Sequence, residues 1–490
     1  MSGNQEKKSL FKNAVFSVIY RLLNILFPLI SYGYAARVLT SDSIGRHAAA
    51  VNNVSYFVIL GSLGIQAYAT REIARRKDDM KERDKLFSQM LLINFFLTIF
   101  ACAAFVVCLF FVPVMHDEKA LYLICAIAIA TNFMNVDWYF QGTEDFKFIA
   151  IRSFVVKFVS LLAVFLFVRK AEDLYIYALI SVLSNTLYHL VSIVHAGRKT
   201  KLNFRGGDMR RHMRPLLFLA LCTVSTELYA RMDITMLDVM EEHSTVAFYS
   251  YAQKIVNLIV IALIAVTAVF LPRLSYYYQN DRDKFNKLTK FGTDTMIFIS
   301  IPMCLGLCAV ASPLVTVWLG DGYEKAAPCL IVLAFMIPLK CIGDIVCYQV
   351  MMCAGQEFYL MIAYFITLAV NFINNLLLIP RYGALGASVA SLISEIVVFL
   401  IVLFAARKYQ NYRLNVRNLV VVSIASILMS GAVAGFGFLV KIPWVQLFGG
   451  AGIGVAIFAL INLAGRNSFI IYPIISGVSC LINRNSQHMI

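Results

Sequence analysis

Charged residues are scarce in this 490-residue chain: Asp, Glu, Lys and Arg together make up 14% of it. A typical soluble chain carries about 25% charged residues. Hydrophobic residues account for 60%, and the mean hydropathy is +0.75. A water-soluble globule could not bury so much apolar surface. The composition excludes a cytosolic enzyme, a secreted disulfide-stapled domain and a disordered chain, and it predicts a protein whose solvent is lipid.

The motifs of common catalysts are also missing. The chain has no GxxxxGK[ST] nucleotide loop, no GxSxG nucleophile turn and no HExxH zinc helix. Its eleven cysteines form no CxxC pair and have no histidine at ligand spacing, so the sequence predicts no metal and no cofactor. The loops on one predicted side are too short to build an active site. We therefore expect a transporter and not an enzyme.

Basic residues exceed acidic ones, 43 to 28. They cluster in short gaps between apolar runs, which is typical of topology signals facing an anionic leaflet and not of a nucleic-acid footprint. The first apolar stretch continues past Ile30 without a cleavage site, which predicts a retained helix and no cleaved signal peptide.

The apolar runs are continuous and long enough to cross a bilayer as helices, which takes about 20 residues each. The sequence predicts an all-α integral membrane protein with about 14 spans. These lie near 14–38, 44–69, 86–113, 119–140, 148–168, 173–195, 214–240, 245–271, 290–318, 326–353, 357–379, 384–405, 418–440 and 444–465.

The distribution of basic residues in the gaps predicts the orientation. If the N-terminus is cytoplasmic, the basic clusters at 71–85, 198–214 and 273–290 all lie inside. The outer gaps then hold few basic residues: Arg37, Arg46, Lys119, Arg169, Lys170, Lys325, Arg381 and Lys441. This bias follows the positive-inside rule and predicts that both termini are cytoplasmic.

The chain also resembles itself. At one constant offset Arg71 corresponds to Arg273 and Asp79 to Asp281, and further matches keep their order at slightly different offsets. We expect two parallel six-helix lobes, as in many alternating-access transporters. The predicted boundaries are 1–195 for the first lobe, 196–213 for a cytoplasmic linker, 214–406 for the second lobe and 407–490 for two extra helices and a tail.

Polar residues within spans are costly and face a cavity or one another. Glu227 and Arg231, like Lys340 and Asp344, lie at i, i+4 spacing, which favours a neutralised pair in each case. Arg21 and Lys254 have no acidic residue within one turn, which favours a cavity-facing role; snorkelling to the interface is the alternative. The predicted cavity residues are Arg21, Asn24, Arg231, Gln253, Lys254 and Asn257, and the predicted gate or structural residues are Arg71, Arg273 and Glu227.

Several stretches resemble a known family. "FPLISYGYAARVLTSDSIGRHAAAVNNVSYFVILGSLGIQAYATREIARRKDD" (27–79), "WYFQGTEDFKFIAIRS" (138–153) and "NNLLLIPRYGALGASVASLISE" (374–395) are similar to bacterial polysaccharide flippases of the Wzx type, within the multidrug/oligosaccharidyl-lipid/polysaccharide transporter superfamily. The resemblance covers nearly the whole chain. It implies a MATE-like fold of two six-helix lobes around a central, often cationic cavity lined largely by helices 1, 2, 7 and 8.

The resemblance implies a flippase of the bacterial cell membrane that moves polyprenyl-(di)phosphate-linked glycan units to the outer leaflet by alternating access. Its partners would be the lipid-linked oligosaccharide and membrane lipid, with glycan polymerase and glycosyltransferases as further candidates. The alternative is a cation-coupled exporter of small molecules with the same fold. A membrane scaffold for glycan-assembly enzymes is a third interpretation, which the basic residues within spans disfavour.

Overall fold

The computed structural model describes residues 26–203, 210–411 and 414–465. Residues 26–38 form α1. The helices that follow are α2 (Ser41–Ser62), α3 (Ile65–Arg75), α4 (Met80–Phe111), α5 (Pro113–Asp117), α6 (Lys119–Ala130), α7 (Asp137–Gly142), α8 (Phe146–Phe167), α9 (Leu174–Lys199), α10 (Arg210–Met240), α11 (His243–Thr267), α12 (Leu271–Asn280), α13 (Arg282–Ala309), α14 (Ala311–Leu319), α15 (Ala326–Ala334), α16 (Met336–Gly343), α17 (Val350–Cys353), α18 (Glu357–Ala406), α19 (Val416–Leu439) and α20 (Pro443–Ala464). A 3₁₀ turn occupies Asn132–Met134 and a π-helical turn occupies Asp344–Gln349.

The all-helical membrane fold predicted from the sequence is confirmed. Among the described residues, eleven helical segments are long and apolar enough to cross a membrane. One of them, α18, covers two predicted spans. The more charged α10 covers the span at 214–240, and α1 covers the described part of the first span. The helices therefore correspond to the predicted set of about fourteen.

The break within α18 has a local cause. Gly383 adopts φ +54° and ψ −130° inside an otherwise helical segment of 50 residues. Glycine reaches positive φ without the Cβ clash that penalises other residues. Pro380, just before it, removes one backbone donor and further disfavours a continuous helix. One uninterrupted apolar stretch thus becomes two membrane-crossing helices.

The internal repeat has a counterpart in local structure. Asp79 follows α3 and caps α4, accepting from the backbone N–H of Lys81 and Glu82 at 3.0 and 3.1 Å. Asp281 follows α12 and caps α13 through the N–H of Lys284 at 3.0 Å. Hydrogen bonds from the side chain and backbone of Lys284 hold the pKa of Asp281 below its usual value. A short helix, an aspartate cap and a long helix therefore recur in the same order in both halves.

The chain forms two compact units, each described here by itself. The first comprises the described residues up to Ser250 together with Asn375–Gly383, and the second comprises the described residues of Tyr251–Asn374 and those from Ala384 onward. These boundaries differ from the predicted lobes 1–195 and 214–406, chiefly because α10 packs on α2 and α3 in the first unit. The predicted lobes stay a prediction.

A buried arginine organises the interior of the first unit. The Arg152 side chain, 1% exposed, bonds Asp137 at 2.9 Å and Ser192 and stacks on Tyr188, whose hydroxyl donates to Asp137 at 2.7 Å. The sequence analysis did not single out Arg152, because it lies close to a predicted span end. A charge so deeply buried persists only when an opposite charge and further hydrogen bonds satisfy it. The network therefore fastens α8 and α9 to α7.

We expect Gly45→Ala to destabilise the first unit by about 1–3 kcal/mol, the usual cost of overpacking. A Cβ at Gly45 of α2 would lie 1.6 Å from the backbone oxygen of His243, so the backbone itself would have to move. Thermal unfolding of the purified protein in detergent measures the effect. Gly197→Ala in α9 is the control, since no atom lies within 4 Å of its Cβ position. Equal melting temperatures for the two variants would contradict the close packing.

Candidate functional site

A stripe of polar side chains runs along α10 in the first unit. Arg231 Nε lies 3.0 Å from Glu227 Oε2, one helical turn earlier, which confirms the predicted pair. The two side chains are 31% and 37% exposed. Asp238 lies near the end of the helix, where its Oδ1 is 3.3 Å from His243 Nδ1. The i, i+4 spacing thus places these charges on one helix face.

Helix α2 contributes amides and a hydroxyl to this stripe. Asn52 Nδ2 donates to Thr235 Oγ1 at 2.9 Å, and the Tyr56 hydroxyl lies 2.9 Å from the same atom. Asn53 Nδ2 donates to Asp238 Oδ2 at 3.0 Å. The sequence analysis missed both asparagines, although two consecutive amides within an apolar span are a signal of this kind. Together these side chains bind α2 to α10.

Asp233 on α10 anchors the stripe to the polar residues of two other segments. It accepts hydrogen bonds from the Tyr249 hydroxyl at 2.6 Å and from Asn375 Nδ2 at 2.7 Å. All three residues belong to the first unit. Asn375 is therefore an interhelical hydrogen-bonding residue.

In the second unit, α11 carries three of the predicted cavity residues, Gln253, Lys254 and Asn257. The Lys254 ammonium lies 4.9 Å from the centre of the Tyr251 ring, within the range of a cation–π contact. Gln253 is half-buried, and Asn257 is exposed. Asn257 borders a cavity of about 380 Å³. The polar residues that line this cavity are Asn257, Lys340, Asp344, Tyr348, Tyr364 and Glu395.

The predicted pairing of Lys340 with Asp344 is wrong. Lys340 Nζ lies 2.9 Å from Glu395 Oε2 on α18, while Asp344 accepts from Thr267 Oγ1 at 2.6 Å and from Gln349 Nε2 at 2.7 Å. The backbone N–H of Asp344 still bonds the carbonyl of Lys340, so the cause is not local: each side chain finds its partner outside the helical turn that they share. Lys340 therefore joins α16 to α18, and Asp344 accepts a hydrogen bond from Thr267 of α11.

Of the remaining predicted residues, two lie in the described part of the chain. Arg71 and Arg273 are exposed, on α3 and α12 respectively. Each lies on the short helix that precedes an aspartate-capped long helix, so their local positions match. Their role as a gate stays a prediction. Arg21 and Asn24 lie outside the described residues.

The sequence and fold of this chain are similar to those of known proteins. The model of a family described as "Polysaccharide biosynthesis protein" matches residues 10–278, more than half of the chain. The chain belongs to this polysaccharide biosynthesis family.

Two curated relatives bear names that concern glycan export. A putative O-antigen transporter of Escherichia coli K12 is 23% identical over 412 residues, which are 82% of this chain and 98% of the relative. A probable low-salt glycan biosynthesis flippase of Haloferax volcanii is 22% identical over 237 residues, 48% of this chain and 50% of that protein.

Solved structures share the fold. The lipid II flippase MurJ in an inward closed conformation superposes with a TM-score of 0.75 at 17% identity, covering 94% of this chain and 100% of that one. An inward-facing multidrug resistance transporter of the MATE family gives a TM-score of 0.62 at 13% identity, with 80% and 97% coverage. This member of the polysaccharide biosynthesis family is therefore a multi-pass membrane protein with a MurJ- and MATE-like transporter fold.

We expect Glu395→Gln to cost about 3 kcal/mol of stability, because it leaves the largely buried Lys340 without its counter-charge. Lys340→Met combined with Glu395→Met should recover most of the loss. Thermal unfolding of the single and double variants measures the coupling. Asp344→Asn is the matched control, and its effect should add to that of Lys340→Met. Strong coupling of Lys340 to Asp344 in place of Glu395 would contradict the observed pairing.

Proposed function

We propose that this protein is a lipid-linked oligosaccharide flippase, which moves polyprenyl-(di)phosphate-linked glycan units from the inner to the outer leaflet for surface polysaccharide biosynthesis. The observation that carries the proposal is the family match over residues 10–278. The name of the O-antigen transporter relative, aligned along 98% of its own length, supports the same substrate class.

The substrate poses a physical problem that the polar residues within the helices can solve. A phosphate or diphosphate cannot cross hydrocarbon alone, because burying an unpaired charge costs many kcal/mol. Arginine can grip phosphate with two parallel hydrogen bonds, and lysine supplies a compact charge. In our proposal Arg21, Arg231 and Lys254 contact the phosphate, while Asn24, Gln253 and Asn257 contact polar groups of the head group.

We further propose an alternating-access cycle. The head group enters a polar cavity from the cytoplasmic side while the polyprenyl chain stays in the bilayer, and binding shifts an equilibrium between inward- and outward-open states. Arg71 and Arg273, at matched positions in the repeat, would act at the inner gate. The location that follows is the bacterial cell membrane, with both termini cytoplasmic and with glycan polymerase and glycosyltransferases as candidate partners.

The second candidate function is cation-coupled export of small molecules. Its support is the MATE-family structure, which superposes less well than MurJ, with a TM-score of 0.62 against 0.75. The first predicted span, 14–38, contains Arg21 and no acidic residue. An exporter of cationic drugs needs negative charge in its cavity, so a basic first helix favours an anionic substrate.

We expect a strain in which the gene is deleted to accumulate the lipid-linked intermediate on the inner leaflet, and the wild-type gene to restore export. Arg21→Ala, Arg231→Ala and Lys254→Ala should each fail to restore it. Each lost hydrogen bond to a charged group removes about 1.5–3 kcal/mol of binding, roughly a ten- to hundredfold weaker affinity. Arg21→Lys should rescue partly if a two-pronged grip matters and fully if charge alone matters.

The control for this experiment is Lys441→Ala, which removes an exposed lysine between α19 and α20 and should complement fully. Membrane fractionation and immunoblotting show that each variant reaches the membrane in normal amount. Complete complementation by the three alanine variants would contradict a cationic cavity and would favour the exporter or scaffold interpretation.

We expect reporter fusions after Gly197 and after Glu242 to lie on opposite sides of the membrane. Helix α10 is the one membrane-crossing segment between the two points, and basic residues 198–214 precede it. Paired alkaline phosphatase and fluorescent protein fusions should report Gly197 as cytoplasmic and Glu242 as external. The same result at both points would contradict the fourteen-helix topology.

A further inference from the structure

The guanidinium group of Arg231 forms a side-chain hydrogen bond through its Nε. Its Nε donates to Glu227 Oε2 at 3.0 Å. Within residues 26–203, 210–411 and 414–465, no hydrogen bond joins its Nη1 or Nη2 to another group. Arginine carries five N–H donors in a planar fork, so four of them remain available. The free edge is the one that matches the spacing of two phosphate oxygens.

The backbone beneath this side chain is fixed. Asn52 Nδ2 and Thr235 Oγ1 both donate to the carbonyl oxygen of Arg231, at 3.3 and 3.4 Å. The Tyr56 hydroxyl in turn holds Thr235. The side chain itself is about one-third exposed. Because a charge exposed to hydrocarbon is costly, we expect the exposed part of this side chain to face a polar space within the membrane.

Other arginines in the first unit show that i, i+4 spacing does not by itself leave the fork free. Arg76 pairs with Glu72 at the same spacing on the inner side, but it uses Nη1 both for the carboxylate and for the Glu72 carbonyl. Arg152 uses Nη1 for Ser192 and Nη2 for Asp137. Arg152 thus uses both Nη groups for contacts within the protein and Arg76 uses one, whereas among the described residues Arg231 is hydrogen-bonded through Nε alone.

We propose that Glu227 is a positioning residue, which holds Arg231 through Nε so that its Nη fork is presented to a phosphate of the transported lipid. This inference rests on the proposed flippase function and adds a role for Glu227 beyond neutralising a charge. Glu227 does not itself touch the phosphate. Its carboxylate restricts the rotation of the guanidinium, so that less conformational entropy is lost when the phosphate binds.

The test is the binding of farnesyl diphosphate, a short polyprenyl diphosphate, to the full-length protein in lipid nanodiscs. Glu227→Gln keeps an acceptor for Nε but removes the negative charge, so its Kd should stay within about twofold of wild type or become tighter. Glu227→Ala removes the acceptor as well, and its Kd should be at least about fivefold weaker than that of Glu227→Gln. Glu227→Met, also without a strong acceptor, replaces Glu227→Ala if the alanine variant folds poorly.

A double-variant comparison and a matched control separate positioning from stability. In an Arg231→Lys background, which lacks both Nε and the fork, Glu227→Ala and Glu227→Gln should bind equally. Glu72→Gln disrupts the pair of the same spacing on α3, so it should lower the melting temperature without changing the Kd.

The outcomes distinguish this inference from the function on which it rests. Equal Kd values for Glu227→Ala and Glu227→Gln, or a difference that persists in the Arg231→Lys background, would overturn the positioning role alone. If wild-type protein fails to bind farnesyl diphosphate while retaining its native melting temperature, both the positioning role and the proposed substrate class are overturned.

Discussion

A charge in hydrocarbon must find an opposite charge, a set of hydrogen bonds or a polar space, and this constraint accounts for the arrangement of polar residues in the protein. Arg152 is paired with Asp137, Ser192 and the Tyr188 ring in the interior of the first unit. Lys340 is satisfied by Glu395 beside a cavity in the second unit. Within the part of the chain that the structure describes, the Arg231 side chain is hydrogen-bonded through Nε alone, and that difference separates a structural arginine from a candidate binding residue.

The same constraint explains how helices associate without a hydrophobic driving force. Lipid tails are as apolar as leucine side chains, so interhelical hydrogen bonds and close backbone contacts supply the specificity. Asn52 and Asn53 bind α2 to α10, and Gly45 lets the backbone of α2 approach the backbone of His243 closely. On α10, Thr235 and Asp238, which bind α2, thus lie on the same helix face as Arg231, which is proposed to meet the substrate. Substrate binding and helix packing can be coupled for that reason.

The fold class was largely predictable from the sequence, because hydropathy and helical spacing are local properties. Most span boundaries agree with the helices to within a few residues, although the predicted span 290–318 begins well inside α13, and Glu227 and Arg231 pair as their spacing predicts. The pairing of Lys340 with Asp344 failed because each side chain finds a partner on another helix, Lys340 at Glu395 and Asp344 at Thr267, and spacing along one helix does not show such partners. Arg152 was missed because its burial depends on α7 and α9, which are distant in sequence from one another.

The sequence alone thus determined that the chain is a helical membrane protein, how its helices succeed one another, and that basic residues lie within its spans. Tertiary structure alone decided which of these charges are paired with other groups of the protein. Depth in an apolar run gives the cost of a charge, but not its partner, since partners come from other helices. Glu227 holds the Arg231 side chain through Nε, and Asn52 holds the Arg231 backbone carbonyl. This arrangement, which leaves the Nη groups without a partner among the described residues, depends on the contact between α2 and α10.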